Sequence, residues 1–161
     1  MSDQGNLRHV LVVDASVVVD WVAPDIDPET PALKLLRRLV AAGTDLVAPH
    51  LLIEEVSNAL LTGIRRGKWT GASADQSLAV LRRLPVRLVD QPRDVERAWD
   101  LARRYDNWPI YDMILVALAE RRGVRLVTAD AALRRLLPGF DWIVAPDDVL
   151  PDEVEAPTLG R

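Results

Sequence analysis

Four acidic side chains stand at positions of the sequence where a lone carboxylate is conspicuous. Asp14 follows the apolar run VLVV and Asp130 follows RLVTA, so both come at the end of a predicted strand. Asp112 immediately precedes MILVALA, and Glu55 lies within LLIEEVSNALL, so both belong to helices that are apolar on most sides. A charged carboxylate in such surroundings needs a cation, a set of hydrogen-bond donors or a raised pKa.

Each acid also has an ordinary structural explanation. An aspartate that follows a strand often caps the next helix, which applies to Asp14 and Asp130. Asp112 falls in the first turn of its helix, where the helix dipole favours negative charge. Glu55 can be a partly exposed helical glutamate. All four explanations must hold together for the pattern to be accidental, whereas one shared site at one end of a sheet accounts for the four acids at once.

The residue types at such a site determine its chemistry. Clustered carboxylates cannot all ionise unless a cation offsets their repulsion. Ligation by oxygen alone selects hard ions, Mg²⁺ or Mn²⁺, and such an ion can activate a water and neutralise charge on a phosphate. Ser16, two residues after Asp14, and Thr128, two before Asp130, can either orient ligands and waters or make ordinary helix-cap and strand-end hydrogen bonds.

The segments that position these acids alternate between short strands and longer helices. Valine-rich runs predict strands at 10–13, 46–48, 86–89, 124–127 and 142–144. Helices are predicted near 30–42, 50–66, 72–84, 92–105, 109–122 and 130–137. This alternation predicts an α/β fold, a three-layer α/β/α arrangement with a mostly parallel central sheet of about five strands. Open parallel sheets place their ligand crevice outside the carboxyl ends of the strands, where Asp14 and Asp130 stand.

The composition narrows the class of protein. A chain of 161 residues with 49% hydrophobic residues suits one folded domain, which we expect over 1–150, with an acidic, flexible tail over 151–161. The lack of cysteine and the presence of only two histidines, His9 and His50, exclude disulfides, a thiol nucleophile and a typical zinc centre. No apolar run approaches the ~18 residues of a membrane span, and the start lacks a signal-peptide pattern. We therefore expect a cytoplasmic protein with no membrane partner.

The net charge of −4 is unevenly distributed along the chain. Between Asp141 and Arg161 there are six acidic residues and one basic residue, whereas residues 1–140 hold 19 basic and 18 acidic residues. Without the four acids of the predicted site, that larger part is clearly basic, and nearly all of its basic residues are arginines. We expect arginines to surround an acidic pocket, which is compatible with a nucleic-acid substrate.

Four segments of the sequence resemble the acidic motifs of PIN-domain ribonucleases, most closely those of VapC-type toxins from bacterial toxin–antitoxin pairs. The segments are VVDASVVVDW (12–21), APHLLIEEVSNAL (48–60), IYDMILVALAERRG (110–123) and LVTADAAL (126–133). The resemblance extends from about Val10 to about Pro146, and the order, spacing and flanking residues all agree. It places four residues at the acidic positions of the family: Asp14, Glu55, Asp112 and Asp130.

The resemblance implies a function as well as a fold. It implies that Asp14 and Asp112 bind Mg²⁺, with Mn²⁺ as a substitute, and that Glu55 and Asp130 complete the catalytic pocket, partly through waters. It also implies metal-dependent endonucleolytic cleavage of RNA that leaves a 5′-phosphate and a 3′-hydroxyl. The implied partners are a small inhibitory antitoxin and a second copy of the chain, in a homodimer or a larger toxin–antitoxin assembly. Met113 departs from the family pattern, since a small residue usually follows the Tyr-Asp pair, and is expected to narrow the groove.

Several further side chains admit two interpretations each. Three aromatic residues can stack on unpaired bases or pack in the core or a dimer interface: Trp21, Trp108 and Tyr111. Three basic residues can hold phosphates or simply end a helix: Arg65, Arg66 and Lys68. Leucines of two predicted helices can bind an antitoxin helix or belong to the core: Leu35, Leu36, Leu39, Leu78 and Leu81. We assign no catalytic role to His50.

Other functions fit the sequence less well than an antitoxin-controlled nuclease. The alternative within the family is a catalytically silent PIN-like module that binds RNA or protein, and the presence of all four acids argues against it. Phosphoryl-accepting signalling domains need a lysine late in the sheet, but no lysine follows Lys68. Haloacid-dehalogenase-like phosphatases carry Asp-x-Asp after the first strand, whereas this chain has Asp14-Ala15-Ser16 there.

Overall fold

The computed structural model describes residues 9–149, so the tail predicted over 151–161 lies outside the described residues. The strands are β1 Val10–Val13, β2 Asp45–Ala48, β3 Val86–Leu88, β4 Arg125–Val127 and β5 Ile143–Val144. The helices are α1 Ala15–Val22, α2 Pro31–Ala42, α3 Leu51–Arg65, α4 Gly71–Leu81, α5 Pro92–Arg104, α6 Ile110–Arg122 and α7 Ala131–Leu136, followed by a 3₁₀ turn at Pro146–Asp148. The extent of the domain, 1–150, stays a prediction.

The five strands form one parallel sheet in the order β3-β2-β1-β4-β5. This confirms the predicted α/β/α fold with a parallel central sheet. The chain moves outward from β1 to β3 on one side, and later from β4 to β5 on the other. The order therefore reverses between β1 and β4, and a crevice at the carboxyl ends of these two strands is the expected ligand site of such a sheet.

Two hydrophobic cores cover the two faces of the sheet. Because side chains alternate along a strand, Leu11 and Val13 of β1 lie in the core formed with α1 to α4, whereas Val12 lies in the core formed with α5 to α7. The helix α6 contains a continuous buried run from Leu115 to Ala119. It ends at Gly123, which has a φ of 63° and is therefore the helix stop that its position in the sequence indicates.

The helix α1 was absent from the predicted elements. Its sequence, ASVVVDWV, is rich in valine, which favours strands by local propensity. The helix nevertheless forms because Val17, Val18 and Trp21 are buried in the first core, and burial outweighs a propensity difference of a few tenths of a kcal/mol per residue. Among residues 9–149, no helix is long and apolar enough to cross a membrane.

Candidate functional site

Asp14 lies at the junction of β1 and α1 and is only 6% exposed. Its backbone N–H donates to the carbonyl oxygen of Val127 in β4 (3.0 Å), and its own carbonyl accepts from the N–H groups of Val17 and Val18 at the start of α1. The Asp14 carboxylate makes no capping hydrogen bond to α1. Helix capping therefore does not explain this side chain, which points to the crevice between β1 and β4 for another reason.

Two hydroxyl groups hold one oxygen of the Asp14 carboxylate. Ser16 Oγ and Thr128 Oγ1 both donate to Asp14 Oδ2, each at 2.6 Å. The Ser16 oxygen accepts from the backbone N–H of Ala129 (3.0 Å), and the Thr128 oxygen accepts from the N–H of Asp130 (3.0 Å). These backbone donors leave each hydroxyl proton free to point at Asp14. Both residues therefore orient Asp14, and its Oδ1 makes no hydrogen bond within residues 9–149.

Asp112 is half-buried in the first turn of α6. Trp108 Nε1 donates to Asp112 Oδ2 at 2.7 Å, so one oxygen of this carboxylate is also held by a neutral donor. Burial raises the pKa of Asp112, the hydrogen bond from Trp108 lowers it, and the charges of Asp14 and Asp130 raise it again. Trp108 is thus neither a free stacking surface nor a simple core residue. Sequence reasoning missed this contact, although the spacing of four residues was visible.

Glu55 is half-buried on α3. Burial raises its pKa from 4.5 to about 7, with further upward contributions from the charges of Asp14, Asp112 and Glu54. Glu55 therefore stands close enough to Asp14 and Asp112 to be affected by both, across three different elements of the fold. The adjacent Glu54 is exposed, in agreement with its expected place on the solvent side of the helix.

Asp130 combines the two roles considered for it. Its Oδ1 accepts the N–H groups of Ala132 (2.7 Å) and Leu133 (3.2 Å), so it caps α7. Its charge also raises the pKa of Asp112. Asp130 therefore stands at the margin of the acidic cluster and is anchored by the helix that follows it.

The structure thus brings the four predicted acids to one edge of the sheet, which we call the acidic cluster: Asp14, Glu55, Asp112 and Asp130. None of the four forms an ion pair with a basic side chain within residues 9–149. No group of three or more acidic or histidine side chains in the same range is arranged to hold an ion directly. Two direct carboxylate ligands completed by waters suit Mg²⁺, which keeps several waters in protein sites.

Other residues considered from sequence have ordinary structural roles. Trp21 is 6% exposed, and its Nε1 donates to the carbonyl oxygen of Ala32 (2.7 Å) in the core. Met113 is fully buried on the core side of α6, so it does not narrow the groove. The leucines considered for antitoxin binding are core residues, buried or partly buried in the first core: Leu35, Leu36, Leu39, Leu78 and Leu81.

The polar surface around the acidic cluster is only partly as expected. Tyr111 is 54% exposed and so remains available for contact with a ligand. Arg65 donates to Thr62 Oγ1 (2.7 Å) on its own helix. Arg134, which the sequence did not single out, donates to the carbonyl oxygen of Thr128 (2.6 Å) beside the cluster. A complete rim of arginines stays a prediction.

Comparison with known proteins identifies a matching family and several relatives. The model of the PIN domain family matches residues 11–136, which include all four acids. The chain is 34% identical over 128 residues to Ribonuclease VapC3 of Mycobacterium tuberculosis, which is 80% of this chain and 88% of that protein. It is 35% identical over 127 residues to Ribonuclease VapC1 of the same species, covering 76% and 86%. It is also 32% identical over 124 residues to VapC ribonuclease Mb0985 of Mycobacterium bovis, covering 77% and 88%.

Proposed function

The chain belongs to the PIN-domain family, among its VapC-type members, and we propose that it is a metal-dependent endoribonuclease that acts as the toxin of a toxin–antitoxin pair. One observation carries this proposal. Four carboxylates from separate parts of the chain meet at the carboxyl edge of the sheet with no basic partner from residues 9–149. The mutual repulsion of these carboxylates destabilises the fold, and binding of RNA alone does not require such a group of acids.

We propose that Asp14 and Asp112 are the direct ligands of Mg²⁺, or of Mn²⁺ in its place. In each carboxylate, neutral donors hold Oδ2, which would leave Oδ1 to bind the ion. Burial and, to a smaller extent, the neighbouring carboxylates raise the pKa of Glu55 and Asp112, and a divalent cation would offset the part that arises from negative charge. When bound, the ion supplies polarisation of the phosphate and of the attacking water.

The chain's own residues supply the remaining steps of the proposed reaction. Glu55, which lies on α3 beside Asp14 and Asp112, accepts the proton of the water that attacks phosphorus. The bond from phosphorus to the 3′ oxygen breaks as the bond to the water oxygen forms, and the departing 3′ oxygen takes a proton from solvent. The products are a 5′-phosphate and a 3′-hydroxyl. Asp130 keeps α7 and Thr128 in place around the cluster.

The partners belong to the same proposal. The named relatives are ribonucleases of the VapC type, which supports RNA as the substrate and a small antitoxin as the inhibitor. A homodimer in the cytoplasm, alone or within a larger toxin–antitoxin assembly, completes the proposed biological unit. The alternative, a silent RNA- or protein-binding module, is disfavoured because all four acids are present and together.

The test uses protein freed of antitoxin and incubated with total RNA. We expect cleavage with Mg²⁺ or Mn²⁺ and none with EDTA. Asp14→Asn and Asp112→Asn should each reduce the cleavage rate about 100-fold or more, because loss of a ligand costs more than loss of a ligand's hydrogen-bond partner, which costs about 10–100-fold. Asp75→Asn, at an exposed position on α4, is the matched control. Full activity of either site variant would refute the metal assignment, and RNA binding without cleavage would favour the silent module.

A further inference from the structure

A cavity of about 510 Å³ opens beside the acidic cluster, at the carboxyl ends of β2 and β3. We call it the β2–β3 cavity. Its walls come from the N-terminal parts of α3, α5 and α6 and from the loops that precede α3 and α5. Its volume falls within the range of about 300–1,000 Å³ that small-ligand sites occupy. The residues that matter here are Leu51, Glu54, Val89, Val95, Tyr111 and Ile114.

The cavity adjoins the acidic cluster through two pairs of neighbouring residues. On α3, Glu54 lines the cavity, while Glu55 belongs to the cluster. On α6, Tyr111 lines the cavity, while Asp112 belongs to the cluster. When the reacting phosphate of a polymer lies at the cluster, an adjacent nucleotide can therefore reach the β2–β3 cavity.

The charges of the cavity wall favour a hydrogen-bond donor and disfavour an anion. Asp90 is occupied by His50, which donates to it from the backbone N–H (3.0 Å) and is paired with it through Nδ1 (2.8 Å). Asp94 is occupied by Arg121 through two hydrogen bonds of 2.6 and 2.9 Å. Glu54 has no hydrogen-bond or ionic partner within residues 9–149, so its carboxylate is available to a ligand.

The remaining wall suits a flat ring. Tyr111 is 54% exposed, and Val95 is 52% exposed, although both line a concave surface. Aromatic side chains placed in this way stack unpaired bases. A phosphate is repelled by Glu54, whereas a base that offers two adjacent N–H donors to one carboxylate is attracted. Guanine presents such a pair, N1–H and N2–H, on its Watson–Crick edge.

We propose that the β2–β3 cavity binds an unpaired guanine of the RNA next to the cleaved phosphate, stacked on Tyr111 and hydrogen-bonded to Glu54. This inference rests on the proposed function, because it assigns a base-recognition site to the same nuclease. It goes beyond that function by naming the base and the two residues that select it.

Binding is measured on Asp14→Asn protein, which leaves the RNA intact. The probes are fluorescein-labelled six-nucleotide uridine oligomers that carry one guanosine or one inosine, which lacks the 2-amino group, and binding is followed by anisotropy. The guanosine oligomer should bind about 10-fold more tightly than the inosine oligomer. Glu54→Gln should remove that difference, and Tyr111→Ala should weaken binding of both oligomers about 10-fold or more. The controls are Glu96→Gln and Trp99→Ala, at exposed positions of α5 outside the cavity.

The outcomes separate this inference from the proposed function. The cavity assignment is wrong, and the proposed nuclease activity is unaffected, if parent protein cuts RNA but the two oligomers bind equally. The same holds if parent protein cuts RNA but Tyr111→Ala, added to Asp14→Asn, binds the oligomers as tightly as Asp14→Asn alone. If Tyr111→Ala changes the molar mass of the protein in light scattering, the surface is a protein interface and the assignment is overturned. If parent protein neither binds nor cuts RNA, both proposals fail together. In active protein, mapped cleavage sites should share a guanine at one fixed position, and Glu54→Gln should relax that preference.

Discussion

Replacing Glu55 with glutamine should stabilise the metal-free protein above neutral pH. The rise in the pKa of Glu55 from 4.5 to about 7 corresponds to about 3 kcal/mol, at ~1.4 kcal/mol per pKa unit. Because the side chain is only half-buried, solvent screening reduces this, and we take about half of it, roughly 1.5 kcal/mol. The cost arises because burial and the charges of Asp14 and Asp112 disfavour the ionised form.

The free energy of unfolding depends on pH because the folded state holds the Glu55 proton more tightly than the unfolded state does. Below pH 4.5 both states are protonated, and Glu55 costs nothing. Between pH 4.5 and 7 the unfolded chain loses its proton first, so stability falls as the pH rises, and above pH 7 the loss is complete. Glu55→Gln should therefore gain about 1.5 kcal/mol at pH 8, with the gain shrinking toward zero near pH 4.5.

The assay is urea unfolding of parent and Glu55→Gln protein in EDTA, at several pH values from 4.5 to 8. Glu96→Gln, at an exposed position of α5, removes a charge of the same kind and should leave the pH dependence unchanged. Adding Mg²⁺ should raise the stability of the parent more than that of the variant, because an ion that binds only the folded state stabilises it. The reasoning is refuted if Glu55→Gln is less stable than the parent at pH 8, or if both proteins lose stability in parallel as the pH rises.

Two further predictions test individual contacts of the structure. Trp108→Phe removes the indole donor of Asp112 and should raise the dissociation constant for Mn²⁺ about 10-fold in calorimetric titration. The control Trp99→Phe, at a 62% exposed position, should leave it unchanged. Equal affinities of the two variants would show that Trp108 does not position Asp112. Gly63→Ala places a Cβ against the ring of Trp69 and should cost about 1–3 kcal/mol of unfolding free energy. The control Gly71→Ala meets nothing within 4 Å, so similar urea midpoints for the two variants would contradict the packing.

The sequence predicted the parts of the fold that depend on pattern over several residues. Valine-rich strands and apolar helices follow from the period and the length of their apolar runs. The failures have local causes. The helix α1 was missed because its valines favour strand locally, and only packing against α2 and α3 decides otherwise. Met113 was expected at the groove, but it lies on the core side of α6, a rotational difference that spacing alone does not fix for a helix apolar on most sides.

Side-chain roles within the acidic cluster were predictable in position but not in detail. The sequence indicated that Ser16 and Thr128 lie near Asp14, but either hydroxyl could have capped a helix. The choice depends on which backbone N–H groups face them. Ser16 accepts from Ala129, which is distant in sequence, whereas Thr128 accepts from Asp130, two residues further along the chain. Asp130 shows the converse, because its capping role and its contribution to the cluster use the same side chain.

The arginines of the described residues pair with carboxylates outside the acidic cluster and not with those inside it. Arg121 neutralises Asp94, and Arg97 neutralises Glu120, each through two hydrogen bonds. These two carboxylates, which lie outside the acidic cluster, are therefore paired with arginine. Arg134 lies beside the acidic cluster yet donates to the carbonyl oxygen of Thr128. A guanidinium among the four acids would relieve their repulsion permanently and would occupy the oxygens that Ser16, Thr128 and Trp108 leave exposed. Neutral donors orient those carboxylates without supplying charge, which supports the proposal that a divalent cation compensates them. The Glu55→Gln measurement detects the cost of burying Glu55 beside Asp14 and Asp112 in the absence of that ion.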